Sequence, residues 1–197
     1  MTGPSVADAS ELLPPYEGIR LAALSQADVI GFDTESKPTF SKGEVSTGPH
    51  LVQLATDELA YLFQIGSAAN AQTALEVLKP VLESERILKV GFGLGDDLKR
   101  LRSKLGIDAH KVLDLATAMR RRGERNTLGA KTAVARFFGQ RLQKSRRITT
   151  TNWALPQLSE KQLLYAADDA HVALRLYRHW LAQPPADDSS LPPRRAS

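Results

Sequence analysis

Not one of the 197 residues is a cysteine, which excludes disulfides and any zinc or iron–sulfur centre built on thiolates. No stretch approaches the ~20 apolar residues that a membrane-spanning helix requires. The first 15 residues hold no basic flank followed by a long apolar run, so no secretory signal is expected. These absences lead to the expectation of a soluble, cytoplasmic protein with no membrane partner. Acids are scarce in one place. Residues 120–147 hold ten basic side chains and a single acid, Glu124. That segment carries +9 in a chain whose total is +4, which leaves −5 for the rest. Such asymmetry suits a polyanionic partner, while a solvated basic face reads the same way taken alone.

What is present is an ordinary globular composition, 42% hydrophobic and 24% charged, in a length that fits one domain. Residues 1–15, rich in Pro, Ser and Ala, are expected to be a flexible lead-in, 16–182 the folded domain, and 183–197 a disordered tail. The domain is organised around Val29-Ile30-Gly31-Phe32-Asp33-Thr34-Glu35-Ser36. Its β-branched and aromatic residues predict a buried strand that runs into two acids. Side chains alternate along a strand, so Asp33 and Glu35 project to one side. Two carboxylates that close repel unless a cation lies between them, and hard oxygen ligands suit Mg²⁺ or Mn²⁺. A strand end followed by a solvated turn is the plainer reading of the same residues.

Further along, residues 19–27 predict a short helix, and 37–43 a turn-rich loop able to cover the acids. Residues 51–55 and 59–65 read as two strands of a hairpin. Residues 71–82 have helical spacing, with Pro80 in the last turn, and 87–92 read as a strand. The run Gly91-x-Gly93-x-Gly95 that follows lacks the Lys-Ser/Thr of a nucleotide loop and reads as a tight strand-to-helix turn. The helix opening at Asp96 buries Leu98, Leu101 and Leu105, which turns Asp97 inward and leaves Asp96 as an N-cap or a solvated acid. Asp114 opens the next helix, and residues 128–138 form another that ends at Gly139. Residues 141–153 read as a basic, threonine-rich loop carrying Trp153, either a core residue or a surface on which a base stacks. A final helix begins after Ser159, with Gln162 completing a capping box, and extends to about residue 181. On it Tyr165 and Asp169 share the buried face, and Asp168 points elsewhere.

Phe32-Asp33-Thr34-Glu35, the glycine turn into Asp97-Leu98, and Tyr165-Ala-Ala-Asp168-Asp169-Ala170 occur in that order. Together they resemble the tyrosine subgroup of the DEDD 3′–5′ exonuclease superfamily, which includes ribonuclease D and the Werner-type exonuclease domain. Leu51-Val52-Gln53-Leu54-Ala55, Asp114-Leu115 and Ser145-Arg146-Arg147 followed by Thr151-Asn152-Trp153 look most like the Werner-type branch. One departure is Ser36-Lys37-Pro38, where Werner-type relatives often carry Trp after the glutamate. The histidine subgroup places a His five before the last Asp, where Leu164 stands here.

The resemblance implies an α/β, ribonuclease-H-like fold: a mixed sheet flanked by helices. It implies hydrolysis of the 3′-terminal phosphodiester of DNA or RNA, releasing nucleoside monophosphates, with two divalent ions, Mg²⁺ or Mn²⁺, as cofactors. Asp33 would bridge both ions, Glu35 and Asp169 would hold the one that activates water, and Asp97 would act through ordered water. Tyr165 would orient the nucleophile, since a phenol of ordinary pKa near 10 is a poor base. Thr34, Lys144, Arg146, Arg147 and Trp153 would contact the substrate. Competing readings are a non-catalytic binding module, an endonuclease of the same wider fold, and a phosphatase of small esters. All four acids being present weighs against the first, the Tyr165–Asp169 spacing against the second, and the +9 segment against the third.

Overall fold

The computed structural model describes residues 5–8, 22–39, 43–44, 46–121, 123–143 and 145–183. Among the described residues six strands make one mixed sheet: β1 (Ser5–Asp8), β2 (Val29–Glu35), β3 (Leu51–Ala55), β4 (Leu59–Gln64), β5 (Leu88–Gly91) and β6 (Val112–Asp114). Their spatial order is β1-β4-β3-β2-β5-β6. β3 runs antiparallel to β2 and β4 on either side, and the remaining neighbours pair in parallel. The helices are α1 (residues 22–26), α2 (Ala68–Leu82), α3 (Gly95–Leu105), α4 (Leu115–Ala118), α5 (Ala130–Phe138), α6 (Arg146–Thr149) and α7 (Glu160–Ala182).

Strand alternation divides the core in two. Ile30, Phe32, Val52 and Leu54 face α2, packing with Val77, Leu78 and Val81. The other face is built of small residues where α7 crosses it: Ala55 and Ala60 meet Ala167 and Ala170. Between them Gly31 leaves no room for a side chain, because a Cβ there would collide with the carbonyl oxygen of Ala170. Small on small lets the helix backbone settle onto β2. A capping box starts α7, with Ser159 and Gln162 exchanging hydrogen bonds. Near its far end Arg178 binds Asp28 at 2.6 Å and Asp57 at 2.9 Å, which pins the helix along the length of β2.

Several expectations change. Residues 5–8 of the lead-in form an edge strand, because β4 offers an open row of backbone groups that a short passing segment can pair with; composition is blind to such non-local pairing. The rest of 1–15, and 184–197, lie outside the described residues. α2 starts at Ala68, earlier than the apolar spacing indicates, because Ser67 caps it by accepting from the Asn70 N–H. Of the two readings of Asp96 the solvated acid holds: Leu94 is the N-cap, and Asp96 is exposed and paired with Lys99. The basic 141–153 loop contains the single-turn helix α6.

Candidate active site

β2 and β5 are parallel neighbours, so their carboxyl ends open together at one edge of the sheet. Asp33 and Glu35 stand at the end of β2 on the same face as Gly31, and therefore on the side of α7. Asp169 is adjacent to Ala170, the residue in contact with Gly31, and is 9% exposed, as is Glu35. The strand's lack of a side chain at position 31 is thus what allows the third acid to come down beside the first two.

Asp97 arrives from the other side. β5 ends at Gly91, which lies so close to the Phe32 carbonyl and Leu94 that a Cβ would strike both. The turn into α3 is held by Asp114, whose carboxylate accepts from the N–H groups of Gly93 (2.9 Å) and Leu94 (3.2 Å). The same carboxylate caps α4 at the Ala116 N–H. This places the first turn of α3 against the end of β2, where the Thr34 hydroxyl donates to Asp97 at 2.5 Å. Burial pushes the Asp97 carboxyl above the usual carboxylate range, and the Thr34 hydrogen bond opposes that shift. Asp33 accepts from the Thr34 N–H at 2.8 Å, so Thr34 joins the two acids through its backbone and its side chain.

Tyr165 is one helical turn before Asp169 and is 7% exposed. Its hydroxyl hydrogen-bonds the Thr149 hydroxyl of α6 at 2.9 Å. Its ring packs on Trp153, with centroids 6.0 Å apart. Trp153 donates to the Thr149 carbonyl at 3.4 Å, and Gln162 donates to Thr151 and to the Asn152 carbonyl. The 148–153 segment is therefore clamped onto the start of α7.

The sequence-predicted residues separate into groups. Asp33, Glu35, Asp97, Asp169 and Tyr165 converge on the β2 end as described. Among the described residues no three His, Cys, Asp or Glu side chains close into a ready-made ion site. The donor chemistry nonetheless fits a hard divalent cation: every candidate ligand is a carboxylate oxygen, two of the acids are buried, and neither nitrogen nor sulfur competes. Trp153 is corrected from substrate contact to core residue, since at 1% exposure no base can stack on it. The Thr34 hydroxyl is directed to Asp97 instead of outward. Arg147 is exposed on α6, the side chain of Arg146 is not described, and Lys144 lies outside the described residues. Asp168, expected to point away, is exposed at the rim of the same cleft as Tyr165 and Asp169. Thr149 and Asp114 were missed as positioning residues. Their partners lie 16 and 20–21 residues away, beyond the reach of helical or strand spacing, although Asp114 was legible as a helix opener.

The cleft beside Tyr165 and Asp169 measures about 200 Å³ and is bounded by Ile148, Lys161 and Leu164. Across Leu142 and Gln143 it adjoins a second concavity of about 550 Å³, lined by Lys131, Gln140, Arg141 and Ser145. The single acid of the basic segment, Glu124, is held by Arg136 at 2.6 Å. Arg121, Arg125, Lys131, Arg141 and Arg147 are exposed. No helix among the described residues is long and apolar enough to cross a membrane.

The chain is similar to known proteins. A family model described as 3′–5′ exonuclease matches residues 20–182. The mouse bifunctional 3′–5′ exonuclease/ATP-dependent helicase WRN is 30% identical over 156 residues, covering 79% of this chain and 11% of that protein. The chain thus spans about a tenth of that relative's length. The crystal structure of the Aedes aegypti Nibbler EXO domain superposes with a TM-score of 0.70 at 25% identity, covering 88% of this chain and 84% of that one. Trypanosoma brucei ribonuclease D, solved with RNA U12, gives a TM-score of 0.78 at 20% identity over 91% of this chain and 63% of its own, a likeness of fold. The ribonuclease-H-like order of strands and the run of residues matched by the family model lead to one conclusion: the chain belongs to the 3′–5′ exonuclease family.

Proposed function

We propose that this chain is a metal-dependent 3′–5′ exonuclease that hydrolyses the terminal phosphodiester of a DNA or RNA strand and releases nucleoside 5′-monophosphates. The observation that carries the reading is the gathering of Asp33, Glu35, Asp97 and Asp169, with Tyr165, at the carboxyl end of β2. Two divalent ions held by those four acids would supply an activated water and neutralise charge on the leaving oxygen.

The chain's own residues do the rest. Asp33 and Glu35 present oxygens on one face of a rigid strand, and Asp169 supplies a third from a helix locked to that strand at Gly31. Asp97 stands across the strand end and is steadied by Thr34. Tyr165, fixed by Thr149 and Trp153, presents its hydroxyl beside Asp169 to orient the attacking water. Attack at phosphorus breaks the bond to the 3′ oxygen of the preceding nucleotide, which leaves with a proton as the new 3′ end. Arg147, and the exposed Lys131 and Arg141 of the neighbouring concavity, would neutralise upstream phosphates. That a trypanosomal neighbour of the same fold was solved with RNA supports a nucleic-acid substrate.

The test is incubation of 5′-labelled DNA and RNA strands with Mg²⁺ or Mn²⁺, with and without EDTA. The expected result is stepwise shortening that EDTA abolishes. Shortening that persists in EDTA removes metal catalysis from the account.

A further inference from the structure

Gln53 is fully buried, and among the described residues neither its amide nitrogen nor its amide oxygen has a hydrogen-bond partner. A buried amide left unsatisfied is costly, so its retention calls for a role. Its location supplies one. Gln53 sits in β3 directly opposite Asp33 of β2, and directly opposed residues on paired strands project to the same face. Two residues to one side of it in the chain, Leu51 packs with Tyr165 and Ala166. Two to the other side, Ala55 packs with Ala167 and Ala170. Gln53 therefore lies under the stretch of α7 that carries Asp169, with Asp33 as its lateral neighbour. On its other side stands Leu62 of β4, which has nothing to offer an amide.

We infer that Gln53 is a positioning residue, which donates from its amide N–H to the carboxylate of Asp33 when that carboxylate ligates a divalent cation. The inference rests on the metal-dependent reading above. Its physical basis is that a ligating carboxylate has a second oxygen and further lone pairs facing the protein, and a fixed donor there sets its orientation. Such supporting partners are typically worth ~10–100-fold in metal affinity. A neutral amide suits the place better than a lysine or an arginine, since it orients the acid without competing with the cation for its charge. In the metal-free protein the amide gives little back. Gln53 thus trades stability of the empty fold for geometry of the loaded one.

Two readouts test this, neither of them catalytic. Gln53→Met keeps the length and most of the volume of the side chain and removes both polar atoms. Mn²⁺ binding to the whole chain, followed by calorimetry or by loss of the free-ion paramagnetic resonance signal, should weaken by ~10–100-fold in this variant. The metal-free melting temperature should at the same time stay level or rise by about 2–4 °C, because an unsatisfied amide has been removed from the core. A lowered metal-free melting temperature, or failure to fold, overturns the inference by making the amide a structural hydrogen-bonding group. Unchanged Mn²⁺ affinity overturns it as well. If the wild-type chain itself binds no Mn²⁺, the metal-dependent reading fails before Gln53 is at issue.

Discussion

Gly31 and Ala170 touch backbone to backbone: the strand residue has no side chain where the helix carbonyl stands. That contact sets the distance between the strand bearing Asp33 and Glu35 and the helix bearing Asp169. Gly31→Ala must therefore push α7 away from β2. A cost of ~1–3 kcal/mol in urea unfolding is expected, as for an overpacked core. Cleavage should fall by on the order of 100-fold even where the variant is folded, because a shift of ~1 Å misplaces a reacting group. Full activity in a folded Gly31→Ala variant would show that this contact does not set the site.

The adjacent acids should separate. Asp97→Asn removes a half-buried carboxylate held by Thr34, and Asp169→Asn removes one that is 9% exposed; each should lower cleavage by on the order of 100-fold or more. Asp96 faces solvent with Lys99, and Asp168 stands at the cleft rim. Asp96→Asn should be silent, and Asp168→Asn should change activity only a few-fold, in the direction of tighter substrate binding as a negative charge leaves the path of a polyanion. Comparable losses for both members of a pair, with folding intact, would place the helix phase on the wrong residue.

Much of this was legible in the chain. Alternation along Val29–Glu35 put Asp33 and Glu35 on one face, and the spacing of four between Tyr165 and Asp169 put both on the buried side of α7. The capping box at Ser159 and the glycine after Phe138 marked helix ends where the structure has them. What escaped depends on groups far apart in sequence. Thr149 reaches Tyr165 only because α6 folds back onto α7, and a one-turn helix leaves no periodic signal. Gln53 acquires meaning from Asp33 across the sheet, and nothing in Leu51–Ala55 announces that neighbour. Trp153 was open between core and surface because a lone aromatic in a basic loop suits either; its partner Tyr165 decides for the core. β1 was invisible because its partner, the edge of β4, lies more than 50 residues away.

Tyr165→Phe retains the packing on Trp153 and removes the hydroxyl. Substrate affinity should barely change while the single-turnover rate falls, by on the order of 100-fold. Thr149→Val, which leaves the phenol in place but unsteadied, should produce a smaller fall in the same step. A wild-type single-turnover rate in Tyr165→Phe would make this tyrosine a packing residue alone.

Lys89 gives the fold a pH dependence unrelated to the site. It is completely buried in β5, and its Nζ donates to the carbonyls of Ser84 (2.7 Å) and Ile87 (2.8 Å). Burial lowers its pKa from 10.5 to about 8. Between those values the unfolded chain holds a proton that the folded chain has released, so the contribution of Lys89 to stability rises with pH. Compared with Lys89→Met, the wild type should gain up to ~1.4 kcal/mol per pH unit across that window and nothing below it. Denaturant unfolding of both proteins on either side of the window checks this; parallel curves would mean that the lysine titrates normally.

The central claim, that these carboxylates remove nucleotides one at a time from the 3′ end, is tested most directly by the first product released from a strand labelled in its 3′-terminal nucleotide. With Mg²⁺ or Mn²⁺ present, the labelled product at the earliest times should be a nucleoside 5′-monophosphate, and it should be absent from reactions with Asp33→Asn. Labelled fragments longer than a mononucleotide appearing first would contradict the account, because they require cleavage within the strand.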